Sequence, residues 1–414
     1  MLQVEAAVRR RPSRRRIALG LAGGGPLGAF YQIGCLHALS ECTQGLDLTD
    51  LSGYVGVSSG AIIAAGLANG LSTREIVRLF FAEHSAHAHA LTPGLLMRPA
   101  LQEYAQRALS VPGLAARALQ RWTRNPFGQS WAEALAPLTL ALPTGVFDNA
   151  PFERYLARLL STGGRSNDFR KLKRVLRIVA TDLNTGEEVR FGEKGLDHIP
   201  ISQAIRASTA LPGLYTPVRF EGRTFVDGAL LRTVHASLVL EKGADLLISV
   251  NPLVAFDASR LQRGAPRADL ADEGLSVVLN QTFRALIQSR MKVGMASYRD
   301  RYPYVDRLLF EPDRDDEEMF FANIFRYRDR VRLASHAYER TRHDLLAHAA
   351  ELDPVLARHG VRLLRDRLAD PQRTFLSCVA SLPRPHPVTR ELSRTLDQLA
   401  DWLDRQHDDR PGAH

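Results

Sequence analysis

Ser58 stands between two glycines in Gly56-Val57-Ser58-Ser59-Gly60, with apolar runs on both sides. The pattern reads as a serine raised on a sharp strand-to-helix turn. Small neighbours are needed there because strand and helix come close and the backbone is strained. Tyr54-Val55 supplies the end of the strand, and Ala61-Ile62-Ile63-Ala64-Ala65 begins the helix. A serine so placed is a candidate nucleophile, and a helix N-terminus beneath it would favour developing negative charge. A plain helix-starting turn accounts for the same five residues taken alone.

A hydroxyl that attacks a carbonyl needs a base for its proton and donors for the oxyanion. Gly23-Gly24-Gly25-Pro26-Leu27-Gly28 lies after a predicted strand and before a predicted helix, and is the candidate oxyanion hole. Consecutive glycines let backbone N–H groups turn toward one point, and the helix end adds positive potential. The same string fits the dinucleotide fingerprint G-x-G-x-x-G, which wants an acid near the end of the second strand, roughly twenty residues on. Asp47 and Asp50 fall near that spacing but precede the second strand, and the elbow serine takes the acid's place. The nucleotide reading is the weaker one.

For the base, histidine is the usual choice. His37 lies on the first helix and His84, His87 and His89 in a helical insertion, whereas His198 and His235 fall near strand ends. Asp227, in Thr224-Phe225-Val226-Asp227-Gly228-Ala229-Leu230, directly follows an apolar strand and precedes a small-residue turn. That presents its carboxylate at a strand terminus, although an Asx turn or helix cap is the bland account of an isolated Asp-Gly. From the residues alone, both choices stay open.

The elements that must hold these groups alternate. A strand over 16–21, a helix over 28–41, a strand ending at Val57 and a helix over 60–69 predict an α/β fold with a mostly parallel, helix-covered sheet. Residues 73–129, divided by Pro93, Pro99, Pro112 and Pro126, read as a helical insertion that could cap a site. Strands follow over 174–181, 188–191, 223–226 and 246–250. From about Val254 the chain turns Arg- and Asp-rich and mainly helical, as in 329–352 and 390–405. No internal repeat is seen. The acidic run 313–318 matches no cation-binding spacing and reads as a solvated loop.

Composition narrows the class. At 414 residues and 45% hydrophobic, the chain can hold a full α/β domain and a further region. Of the formal charge of +9, the first sixteen residues supply +5, from Arg9, Arg10, Arg11, Arg14, Arg15 and Arg16 against Glu5. Residues 1–15 thus read as a basic tail, either attracted to an anionic surface or simply solvated. It imitates an export signal, but cleavage there would remove the glycine loop. Ile17–Leu39 and Gly53–Leu71 carry no charge over 23 and 19 residues, yet glycines and Pro26 break the first. Strand–loop–helix units explain both. Cys35, Cys42 and Cys378 show neither CxxC nor metal-ligand spacing and fit buried apolar roles in a reducing compartment.

Taken in order, five segments resemble the patatin-like phospholipase family. They are the glycine loop 23–28, the Ser58 elbow, Ala180-Thr181-Asp182-Leu183-Asn184-Thr185-Gly186, Ile205-Arg206-Ala207-Ser208-Thr209-Ala210-Leu211-Pro212 and Val226-Asp227-Gly228-Ala229. The resemblance spans about 16–255 and implies a three-layer α/β/α sandwich with a helical region over 256–414. It implies a Ser–Asp dyad of Ser58 and Asp227, with amides around Gly24 and Gly25 as the oxyanion hole. The implied activity is hydrolysis of lipid carboxylic esters, phospholipase A or lysophospholipase in type, through an acyl-enzyme. No metal, cofactor or nucleic acid is implied. A lipid substrate, peripheral membrane contact and a cytoplasmic or inner-face location are expected. Two positions depart from the family pattern: Leu27 replaces a common basic residue, and Ala229 replaces a glycine. A triad completed by His235, and a lipid- or partner-binding protein with an idle site, are the alternative functions.

Overall fold

One nine-stranded sheet organises the chain, and its strands arrive in an order that leaves a crevice at their carboxyl ends. A computed structural model describes residues 1–9, 13–81, 93–124, 133, 135–231, 234–260, 269–322 and 329–377. The strands are β1 (Leu2–Glu5), β2 (Ile17–Leu21), β3 (Gly53–Val57), β4 (Val175–Asp182), β5 (Glu188–Phe191), β6 (Val218–Phe220), β7 (Arg223–Asp227), β8 (Leu246–Val250) and β9 (Asp306–Phe310). Their order is β1-β9-β8-β2-β3-β4-β7-β6, with β5 also paired to β4. The run β9-β8-β2-β3-β4 is parallel, and β1, β5, β6 and β7 join antiparallel. After β2 the chain first builds to one side, through β3 and β4, and later to the other, through β8. That reversal opens the sheet beyond the ends of β2 and β3, where α/β proteins bind ligands.

Period-two alternation sorts the strand residues between two cores. Leu19, Leu21, Tyr54, Ile178, Leu308 and Phe310 face one, and Ala18, Val55, Val57, Val179, Leu247 and Leu309 the other. The first is covered by α1 (Gly25–Cys42), α2 (Ser59–Ala68), α3 (Thr73–Phe81), α5 (Ile201–Ser208) and α7 (Arg330–Ala347), the order being completed by α4 (Leu101–Arg124) and α6 (Leu275–Arg301). The second is covered by residues 234–244 and by Met291, Met295 and Tyr298 of α6. The result is the three-layer α/β/α sandwich expected. Helices α1 and α7 cross so closely that a Cβ on Gly34 would lie 2.2 Å from the Ala334 carbonyl oxygen.

Three expectations change. Residues 2–5, read as part of a solvated tail, form β1 against β9, with Leu2 buried. The region beyond 255 is mainly helical, as expected, and it also supplies β9 to the sheet, while α6 and α7 each cover one core. The acidic run is tied down: Asp316 caps a helical turn, accepting from the Met319 N–H at 3.0 Å, and pairs with His336, while Asp313 pairs with Arg340. The helix α1 starts at Gly25, not at 28. Cys35 and Cys42 are buried, and burial pushes the Cys35 thiol up to about 12. Cys378, His84, His87, His89 and residues 390–405 lie outside the described residues. Among those described, no helix is long and apolar enough to cross a membrane.

Candidate active site

The register of the sheet brings the acid to the serine. Val57 pairs with Val179 of β4 and Asp227 with Ala180, the next residue, so β3 and β7 end level with each other on either side of β4. Ser58 leaves β3 at φ 53° and ψ −125°, outside the regions that non-glycine residues normally occupy, as a strained elbow demands. Gly56 and Gly60 make the turn possible. A Cβ on Gly56 would lie 2.5 Å from the Ala61 Cα, and one on Gly60 would lie 2.5 Å from the Leu21 carbonyl oxygen.

The Ser58 hydroxyl stands beside the Asp227 carboxylate and favours its charged form. Asp227 is 1% exposed, and its Oδ1 also accepts from the Ala229 N–H at 2.8 Å. The carboxyl therefore caps its turn and faces the serine at once. Burial pushes it up to about 6, against the lowering effect of those two groups. This brings an ordinarily weak base toward the range useful near neutral pH. Gly228 is required where β7 turns, since a Cβ there would lie 2.3 Å from the Val179 carbonyl oxygen.

The glycine loop lies against the same serine. A Cβ on Gly23 would come within 3.1 Å of the Ser58 Cβ and 3.0 Å of the Ala229 Cβ. Gly23 thus makes room for an alanine at 229. Gly24 and Gly28 are held against Pro252, at 2.5 Å and 2.9 Å from their would-be Cβ atoms. The Gly28 N–H donates to the Gly24 carbonyl at 2.9 Å, closing the first turn of α1. The amides of Gly24 and Gly25 precede that bonded turn, and among the described residues neither has an acceptor. Leu27 is buried beside them and supplies no side-chain donor.

All of these groups open on one cavity of about 540 Å³. Ser58, Asp227, Gly24 and Gly25 line one part of it. Elsewhere its wall is largely apolar, with Phe80 and Leu96 from the 73–129 insertion, Phe152, and Leu279, Phe283 and Ile287 from α6, interrupted by Asn149, Thr209, Asn280, Thr282 and Arg284. No histidine lines it among the described residues. His235, 1% exposed, pairs instead with Glu188 on β5 at 3.0 Å. Burial would raise Glu188, but His235 and Arg190 hold it down at about 2. His198 pairs with Glu221 at 2.8 Å, and His37 packs on Tyr338 and Phe375, where burial lowers it to about 4. Asp50 bonds Arg174, so the acid wanted by a nucleotide site is engaged elsewhere.

Ser208, part of a motif quoted above but given no role, holds the elbow. The Ser58 N–H donates to Ser208 Oγ at 2.8 Å, and Ser208 Oγ donates to the Val179 carbonyl at 2.6 Å. Its sequence signal was a small polar residue closing an otherwise apolar helix face. Removing it would strand a buried N–H, worth about 1–3 kcal/mol. Ser208→Ala should therefore lower kcat roughly 10- to 100-fold with KM little moved. Steady-state kinetics on a soluble ester measures this, and an unchanged kcat would mean that the elbow holds itself.

Fold and site together define a class: an α/β/α protein with a buried serine on a strained elbow, a carboxylate against its hydroxyl and a glycine loop across it. Residues 19–240, more than half of the chain, match the patatin-like phospholipase family, and the chain belongs to that family. Membership implies a hydrolase of lipid acyl esters. One segment is 40% identical over 73 residues to an uncharacterised NTE family protein of Mycobacterium bovis, covering 18% of this chain and 19% of that protein. An uncharacterised protein, R571, of Acanthamoeba polyphaga mimivirus is 25% identical over 213 residues, or 51% of this chain and 57% of that one. The chain thus matches between about a fifth and just over half of the length of these relatives. Among solved structures, VipD from Legionella pneumophila aligns at a TM-score of 0.32 and 15% identity, covering 98% of this chain and 89% of its own. Human GIVD cytosolic phospholipase A2 aligns at 0.34 and 13% identity, covering 83% and 59%.

Proposed function

We propose that the protein cleaves lipid carboxylic esters through a Ser58–Asp227 dyad. The observation that carries this reading is the Ser58 hydroxyl beside a buried carboxylate at the wall of a largely apolar cavity. Asp227 takes the hydroxyl proton as Ser58 Oγ bonds to the ester carbonyl carbon. The carbonyl oxygen becomes an oxyanion, received by the amides of Gly24 and Gly25 at the head of α1. As the intermediate collapses, the C–O bond to the leaving alcohol breaks and Asp227 returns its proton to that oxygen. Water then repeats the sequence on the acyl-serine: Asp227 accepts its proton, the fatty acid leaves and Ser58 regains its hydrogen.

The substrate class follows from the walls. About 540 Å³ falls within the range of small-molecule sites, and its apolar lining suits an acyl chain better than a polar one. We assign catalysis to residues 16–255, with the 73–129 insertion and α6 walling the acyl site. The test is labelling with an active-site fluorophosphonate, alongside fatty-acid release from lysophospholipid, phospholipid and triacylglycerol. Labelling that vanishes in Ser58→Ala, together with release from at least one lipid ester, is the expected result. Folded protein that neither labels nor hydrolyses any of them would overturn the reading in favour of a binding role.

A further inference from the structure

Helix α4 faces the wrong way for a soluble protein. Leu101, Ala108, Ala115, Leu119 and Trp122 recur at helical spacing and form one stripe, and all are exposed, Leu119 at 61% and Trp122 at 52%. An amphipathic helix normally turns such a stripe to the core and its charges to water. Here Leu114 and Ala118, off the stripe, are the buried ones. Helix α6 repeats the anomaly. Its inner face buries Ile287, Met291 and Met295, yet Leu275, Leu279, Leu286 and Val293 form a second apolar stripe that is exposed, Leu275 at 74%. Apolar surface this extensive marks an interaction site, because scattered single exposures do not form continuous stripes.

Helix α6 borders the cavity, and α4 adjoins its wall through the preceding segment. Leu279 and Leu286 are exposed and also line it, so they stand at its opening. Helix α4 begins just after Leu96, another lining residue, which is fixed by a hydrogen bond from the Tyr215 hydroxyl to its carbonyl at 2.9 Å. Charge selects the occupant. The one carboxylate of α4, Glu103, is paired with Arg107 at 2.9 Å, leaving Arg117 and Arg121 exposed on the face opposite the stripe. On α6, Lys292 is exposed next to Val293. A basic face set opposite leucine and tryptophan is the composition of a helix that lies in a lipid interface. A second copy is a poorer fit, since each chain carries a formal +9 and would set like charges beside like.

Resting on the lipid-ester reading of the Ser58 site, we propose that the outward stripes of α4 and α6 dock the protein on an anionic phospholipid bilayer, with the cavity mouth at the membrane. The test uses the full chain carrying Ser58→Ala, so that binding is read without turnover. It is sedimented with vesicles of phosphatidylcholine alone and with about 30% phosphatidylserine. Binding to the anionic vesicles is expected, falling at least about tenfold in Leu101→Asp/Leu119→Asp/Trp122→Asp on α4 and in Leu275→Asp/Val293→Asp on α6. Arg117→Glu/Arg121→Glu should erase the preference for phosphatidylserine. With Ser58 restored, the α4 variant should still hydrolyse a short water-soluble ester at the wild-type rate. Failure of the parent to sediment with either vesicle, or retention of binding by either aspartate set, would overturn the proposal. So would a dimer in light scattering that these substitutions dissociate while vesicle binding persists. Absent fluorophosphonate labelling would strike only the hydrolytic reading.

Discussion

Ser58→Ala is expected to lower ester hydrolysis by at least about 10⁴-fold while leaving the fold intact. The size follows from the chemistry: without Oγ no acyl-enzyme forms, and the glycine loop can polarise a carbonyl only for a water that nothing orients. The intact fold follows from the site. Ser58 Oγ stands beside the carboxylate it is proposed to react through, whereas the Ser58 N–H, which alanine keeps, is bonded to Ser208. A sharper version replaces Ser58 with glycine. At φ 53° a residue with a Cβ is strained, so Ser58→Gly should be equally inactive and about 1 kcal/mol more stable than wild type. Turnover, probe labelling and denaturant midpoints measure all three. Activity above about 1% in purified Ser58→Ala would remove Ser58 from the mechanism.

Asp227→Asn should separate activity from stability in the same way but more strongly. Loss of the base is expected to cost about 10³- to 10⁴-fold in kcat. Stability moves oppositely. Burial raises Asp227 to about 6 in the folded chain, against about 3.9 when unfolded. Between those values the folded state holds a proton that the unfolded state has released. Stability therefore falls as pH rises through this window and stays lower above it, by about 3 kcal/mol. Asparagine removes that penalty, so the variant should melt several degrees higher at pH 8 and match wild type near pH 3. Wild-type kcat/KM should rise with pH through a midpoint near 6, because only the ionised form can take the proton. Equal melting temperatures at pH 8, or a pH-independent rate below 6, would contradict a working carboxylate at this position.

Much of this site could be read before the fold was known, and the reasons are local. An elbow serine and a tight glycine loop need particular small residues at fixed spacing, so Gly56, Gly60 and the 23–28 run are visible in the chain. Asp227 was harder, because an Asx cap and a catalytic base write the same Asp-Gly. The structure gives one carboxyl both partners. What the sequence hid is long-range. Ser208 meets the Ser58 amide across 150 positions, and only tertiary packing pairs them. Likewise β1 looked like solvated tail because four residues beside arginines carry no period of their own. Its partner, β9, is some three hundred positions away.

The pairing of Asp227 with Ala180 has an implication for how such a site can change. Strand side chains alternate sides, so slipping β7 by one position would turn the carboxylate to the opposite surface of the sheet. The acid cannot drift gradually away from the serine. A one-residue insertion or deletion within 223–226 would act as an all-or-none switch, leaving a folded protein in which every reactive residue is still encoded and the chemistry is gone.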